Sequence, residues 1–241
     1  MADPAPAADL PQYLRMAARR TRDEGTARIR YERTQVLPRR SDPTKRRKPT
    51  RLAHSIRAIL KAVWSQTALD KRVQELLYQW THLAATGVID FAREHCLLEY
   101  GEFRVFLDGD EVLVRMAERG GELRWESSDS ARALMAPGGP WWLLDLVERT
   151  ARAETIPDED ERELHRFSAW AVCDATLPVS FLPRWEDAVD GVEIRFEAWV
   201  DEEGMVRQIR HSSDAIGGVS SLKLLDFGEP PALARPVAAG G

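Results

Sequence analysis

Along most of this chain an apolar side chain recurs at every second position, and that rhythm limits the possible folds more than any other feature. A period of two is the signature of a β-strand with one face buried. Ala27, Ile29 and Tyr31 alternate with Arg28, Arg30 and Glu32; Leu83, Ala85, Gly87, Ile89 and Phe91 keep the same beat, and Cys96 to Tyr100 follows. Phe103, Val105 and Leu107 mirror Val112, Val114 and Met116 across Asp108, Gly109 and Asp110. Residues 102–116 therefore read as a hairpin, since Asp-Gly supplies the positive φ angles that a tight turn needs. Leu123 and Trp125 add a short strand. Further runs are Phe167 to Cys173 and Ile194 to Val200, then a turn at 201–204 with its return from Met205 to Ser212, and finally Val219 to Phe227.

Helical spacing is rarer. Tyr13, Leu14, Met16, Ala17 and Ala18 follow Pro11 and precede Gly25, which marks a short amphipathic helix with proline in its first turn. Residues 141–152 read as a second helix with one apolar face, expected to lie on the sheet. Leu52, Ile56, Ile59, Leu60, Val63 and Trp64 share a helical face, continued by Val73, Leu76, Leu77 and Trp80. Many alternating strands with a few one-sided helices predict an α+β fold, an antiparallel sheet covered on one side. With 241 residues, 44% of them hydrophobic, the chain can bury one large core. We expect one domain over residues 10–235, flanked by small-residue tails at 1–9 and 236–241.

Charge is unevenly spread. Between Arg39 and Arg72 there are eleven basic residues against two acidic ones, a block of +9 in a chain of net charge −5, so the rest carries about −14. Within it, Arg46, Arg47, Lys48, Arg51, Arg57 and Lys61 are candidate contacts for an anion or partner. The block is open to several readings: a solvated loop and helix, a dock for an anionic membrane surface, a contact for an acidic protein, or a phosphate binder. Nucleic acid is disfavoured, because the body is acidic and no nucleic-acid-binding motif accompanies the block.

The run from Ala198 to Arg210, followed by Leu222 to Pro230 with its Asp226-Phe227-Gly228-Glu229-Pro230 close, resembles the end of the LppX/LprG-type lipoproteins, relatives of the LolA-like half-barrels. Residues 87–92, the 107–114 hairpin and 140–145 resemble that family's early strands, hairpin and mid-chain helix. The resemblance implies a single curved antiparallel sheet, a half-barrel, with helices on its concave face and an apolar cavity between them for acyl chains. The basic helical insertion, residues 38–80, stands where that family has a short connection.

No catalytic constellation is visible. His54, His82, His95, His165 and His211 are dispersed, with no metal-ligand spacing, and no GxSxG elbow occurs. We expect no cofactor, no metal and no enzymatic activity. Eight tryptophans are many for one domain. Trp141 and Trp142 fall about 100° apart on a helix, so both cannot enter the same core contact. Together with Leu144, Phe103, Val105, Phe167 and Phe196 they are the candidate lining of an apolar pocket, for a lipid or other apolar small molecule, or for a partner segment. Trp170 and Trp199 alternate with core positions, predicting cover on both sides of the sheet in places. No secretory signal pattern opens the chain, and Cys96 and Cys173 read as buried free thiols, so the expected address is the cytoplasm.

Overall fold

A computed structural model describes residues 9–35, 82–101, 103–109, 111–116, 124–127, 139–157, 164–173, 192–213 and 218–237. Among these residues, eleven strands form one open antiparallel sheet. They are β1 (Thr26–Gln35), β2 (His82–Asp90), β3 (His95–Tyr100), β4 (Phe103–Asp108), β5 (Glu111–Met116), β6 (Glu126–Ser127), β7 (Thr150–Ile156), β8 (Leu164–Cys173), β9 (Val192–Asp201), β10 (Val206–Ser213) and β11 (Gly218–Leu225). The helices are α1 (Leu10–Asp23) and α2 (Trp142–Glu148), the latter led in by a 3-10 turn at Gly139–Trp141.

The spatial order, β6-β5-β4-β3-β2-β1-β11-β10-β9-β8-β7, is two meanders joined at a seam. Each strand pairs with its neighbour in sequence except at the centre, where β1 meets β11 with Ile29 opposite Leu224 and Tyr31 opposite Leu222. The link from β6 to β7 must therefore run from one edge of the sheet to the other, and α2 lies on that route. Helix α1 packs on α2 and β7, while α2 packs on β8, β9 and β10. Both helices thus sit mainly over the half of the sheet made by β7–β10.

Helix α1 is stitched in place by polar contacts. Leu10, Leu14, Ala17, Ala18 and Thr21 form its buried face, and Met16 points outward. The Thr21 hydroxyl donates to Ala17 O at 2.8 Å and accepts from the Val206 amide at 2.9 Å, serving a donor freed by the irregular pairing at the start of β10. Arg22 joins Asp145 and Glu148 of α2. Burial pushes the Asp145 carboxyl up and the Arg22 guanidinium partly offsets this. Gly25, at φ 81°, ends the helix and turns the chain into β1.

Two sequence expectations need correction. The helix expected over 141–152 stops at Glu148, and Thr150–Ile156 is instead strand β7. Arg149 N bonds back to Asp145 O and Leu146 O, and the Thr150 hydroxyl caps Val147 O at 2.7 Å, closing the helix there. The short strand expected at Leu123 and Trp125 is found as β6 at Glu126–Ser127, while the remaining described strands, the 103–116 hairpin and the turn at Gly204 stand where the alternation placed them. The helical patterns within 38–80 fall outside the described residues.

Behind the sheet, the final segment runs as a strap. Thr26 Oγ1 donates to Pro230 O at 2.7 Å, Leu233 N to Asp90 Oδ2 at 3.1 Å, and Arg235 pairs with Asp108 and Glu111. His95 Nδ1 lies 3.1 Å from Leu233 O. The fold is the α+β half-barrel, with its core on the inner face.

Candidate functional site

Strand parity defines the inner face. Ala27, Ile29, Tyr31 and Arg33 share one side of β1, and the register carries that side across the sheet: Tyr31 faces Ala85 and Leu222, Ile209 faces Leu222, and His211 faces Ser220 and Phe196. In the half built by β2–β5, Ile89, Cys96, Leu98, Val105, Leu107 and Val114 make an apolar wall, each at most 2% exposed. In the other half, Phe167, Ala169, Phe196 and Ala198 lie beneath the helices, with Tyr13 of α1 against Phe167.

Between the two halves the wall turns polar. Tyr31 and Arg33 from β1, Tyr100 from β3, His211 from β10, Ser220 from β11 and Trp142 from α2 converge there. Trp142 sets its ring edge-on to His211 with centroids 5.5 Å apart, and Tyr100 stacks on Phe103 at 4.9 Å. Burial raises the Tyr31 phenol above its ordinary value, opposed by the Arg33 charge and by hydrogen bonding from Trp142 and Ser220. Burial drives the Tyr100 phenol well up too, and the neighbouring Tyr31 and Cys96 add to this while Arg33 opposes it. Arg33 itself is pushed down by loss of solvent and supported by both tyrosines. Burial lowers His211, which keeps its imidazole neutral near pH 7. The Trp142 indole N–H is buried without a hydrogen bond of full geometry, although it lies near enough to the Tyr31 oxygen to favour that phenol's ionised form.

The expected pocket residues divide between these regions. Trp142 belongs to the polar notch, and Phe103 borders it through Tyr100. Val105 is in the β2–β5 wall; Phe167 and Phe196 lie under the helices, and Leu144 is fully buried in α2. Trp141 is half-buried, so the two adjacent indoles do point to different surroundings. The notch residues Tyr31, Arg33, Tyr100, His211 and Ser220 were not anticipated. One signal was present: Arg33 continues the Ala27, Ile29, Tyr31 parity, which puts a guanidinium on the buried side of β1. Arg46, Arg47, Lys48, Arg51, Arg57 and Lys61 lie outside the described residues.

On the outer face Trp170 and Trp199 are half-buried, with arginine side chains against their rings. Arg152 stands 4.0 Å and Arg195 5.5 Å from the Trp170 ring, and Arg166 5.2 Å from that of Trp199. Cys96 is a free, buried thiol that desolvation pushes far up, and is therefore inert. Among the described residues no group of three or more His, Cys, Asp or Glu side chains could hold a metal ion, and no helix is long and apolar enough to cross a membrane.

Neither a protein-family model nor a curated protein sequence matches the chain. Solved structures do. LprF from Mycobacterium bovis aligns over 98% of this chain and 100% of its own with TM-score 0.50 and 11% identity. The lipoprotein LppX of Mycobacterium tuberculosis aligns over 91% of this chain and 97% of its own, with TM-score 0.45 and 10% identity. A putative outer membrane lipoprotein-sorting protein domain from Vibrio parahaemolyticus covers 90% of each chain at TM-score 0.25 and 10% identity. The LprF match establishes the LppX/LprG-type fold that the sequence resemblance implied. The expected cytoplasmic address is withdrawn, because the fold shared with LprF gives it no support. The physical reason is that location is read from targeting segments by receptors, and alternating strands carry no such address.

Proposed function

We propose that this protein is a non-enzymatic binding protein whose half-barrel takes an acyl-bearing, apolar ligand against its inner face. One observation carries the reading: the wall of β2–β5 is continuously apolar, while α1 and α2 pack chiefly on β7–β10. A wall of this kind suits an extended hydrocarbon, and each methylene moved from water onto it contributes about 0.8 kcal/mol. The shared fold with LprF supports the scaffold and leaves the ligand to be argued from the residues.

Native mass spectrometry of gently purified protein tests this, paired with displacement of a fluorescent fatty-acyl probe. The expected result is a co-purifying apolar adduct, or saturable probe binding once adducts are stripped. A uniformly ligand-free protein that binds no probe would overturn the proposal. Val114→Trp, which projects an indole from the β5 side of the wall, should weaken probe binding at least tenfold.

A further inference from the structure

We propose that a row of four side chains at the ends of β2–β5 is a docking site for an extended, basic peptide segment of a partner, and that the C-terminal strap occupies it in cis. The register places Asp90 opposite His95, His95 opposite Asp108 and Asp108 opposite Glu111, so the four stand in line across four strands on the outer face. Neighbouring strands lie about 4.8 Å apart, which makes the row about 14 Å long, the reach of about four extended residues.

The first two members read main chain. Asp90 Oδ2 accepts the Leu233 amide at 3.1 Å and His95 Nδ1 meets Leu233 O at 3.1 Å, so both polar groups of one residue are engaged by side chains rather than by a strand. Asp108 lies 3.4 Å from His95 Nε2, on the side of the ring away from the strap contact. The last two members read charge: Asp108 and Glu111 both pair with the Arg235 guanidinium, two residues further on. A main-chain clasp followed by a carboxylate pair selects an extended backbone and one cation, and asks little of the residue between.

The strap is placed as a removable occupant. Ala232, Ala234 and Arg235 are exposed and Leu233 is half-buried, so lifting it leaves the core closed. Pro230 is buried and stays anchored, whereas residues 231–237 belong to no helix or strand. Pro230, Pro231 and Pro236 favour the extended form before docking, which lowers the entropy lost on binding. A separate chain with this pattern, a cation two residues after a free amide and prolines on either side, meets the same four side chains.

The test uses the full-length protein, its Arg235→Glu variant and a fluorescent synthetic peptide of residues 229–237. Arg235→Glu sets a carboxylate beside Asp108 and Glu111 and should free the strap, seen as faster exchange of the Leu233 amide while the amides of β2–β5 keep their protection. The expected result is saturable peptide binding by the variant, at least tenfold tighter than by wild type, whose own strap competes. The same peptide carrying Arg235→Glu should bind the variant at least tenfold more weakly. Adding Glu111→Lys to Arg235→Glu should draw the strap back and remove peptide binding. A freed strap without peptide binding overturns the proposal, as does binding shared equally by wild type and variant or by peptides of either charge. A Leu233 amide still protected in Arg235→Glu shows that the carboxylate pair does not hold the strap, and overturns it too. Wild-type dimers that form with concentration and vanish in Arg235→Glu would assign the site to the strap of a second copy and overturn the separate partner.

Discussion

Asp90 shows how one side chain holds a distant segment. Its carboxylate is 1% exposed at the end of β2, accepts from the Arg93 guanidinium and amide, and receives the Leu233 amide of the C-terminal strap. Burial would raise its pKa, but these hydrogen bonds together outweigh burial and hold it below the ordinary carboxylate value. The sign follows directly. Ionised Asp90 stabilises the fold in full above the unfolded value near 3.9, and that contribution fades as pH falls through the lower folded value. Asp90→Asn should cost about 1–3 kcal/mol at neutral pH, read by urea unfolding. It should also flatten the acid limb of stability against pH and speed proteolysis after Pro230. Arg93 is half-exposed, so its ion pair with Asp90 adds little by itself, and Arg93→Ala should be the milder change.

At the scale of elements, curvature has local causes. A Cβ on Gly87 would lie 2.0 Å from Leu97 O, so β2 approaches β3 there more closely than any side chain permits. Pairing also slips at Val206/Gln208 and at Thr150/Arg152, adding irregularities on the opposite half of the sheet. Gly87→Ala should destabilise by about 1–3 kcal/mol, seen as a lowered Tm, and should weaken probe binding by flattening the wall. An unchanged Tm would show that β2 absorbs the methyl group elsewhere. Alternation identified nearly every described strand, and Gly25 and Gly204 marked their turns. Strand β7 escaped because Thr150 to Ile156 follows an apolar helix without a Gly or Pro break. Its end is signalled only by the Thr150 hydroxyl on Val147 O, a contact visible in three dimensions.

At the scale of the whole molecule, the strand pairing that joins the two meanders among the described residues is that of β1 with β11, residues 28–35 with 218–225. Contacts so far apart in sequence are expensive in loop entropy and form late, yet this seam lies at the centre of the sheet. Native-state hydrogen exchange should therefore find the slowest amides in β1 and β11, and fast exchange at the edges, in β6 and β7. Seam amides exchanging as fast as β7 would mean that the halves open independently. The sequence by itself determined the strand class, the hairpins, the first helix and which residues of each strand face inward, because a period of two is a local property of the chain. Tertiary structure alone decided that β1 joins β11, and so that Tyr31, Arg33, Tyr100, Trp142, His211 and Ser220 share one notch. Pairing between remote strands depends on register and curvature summed over the whole sheet, and no local pattern records either.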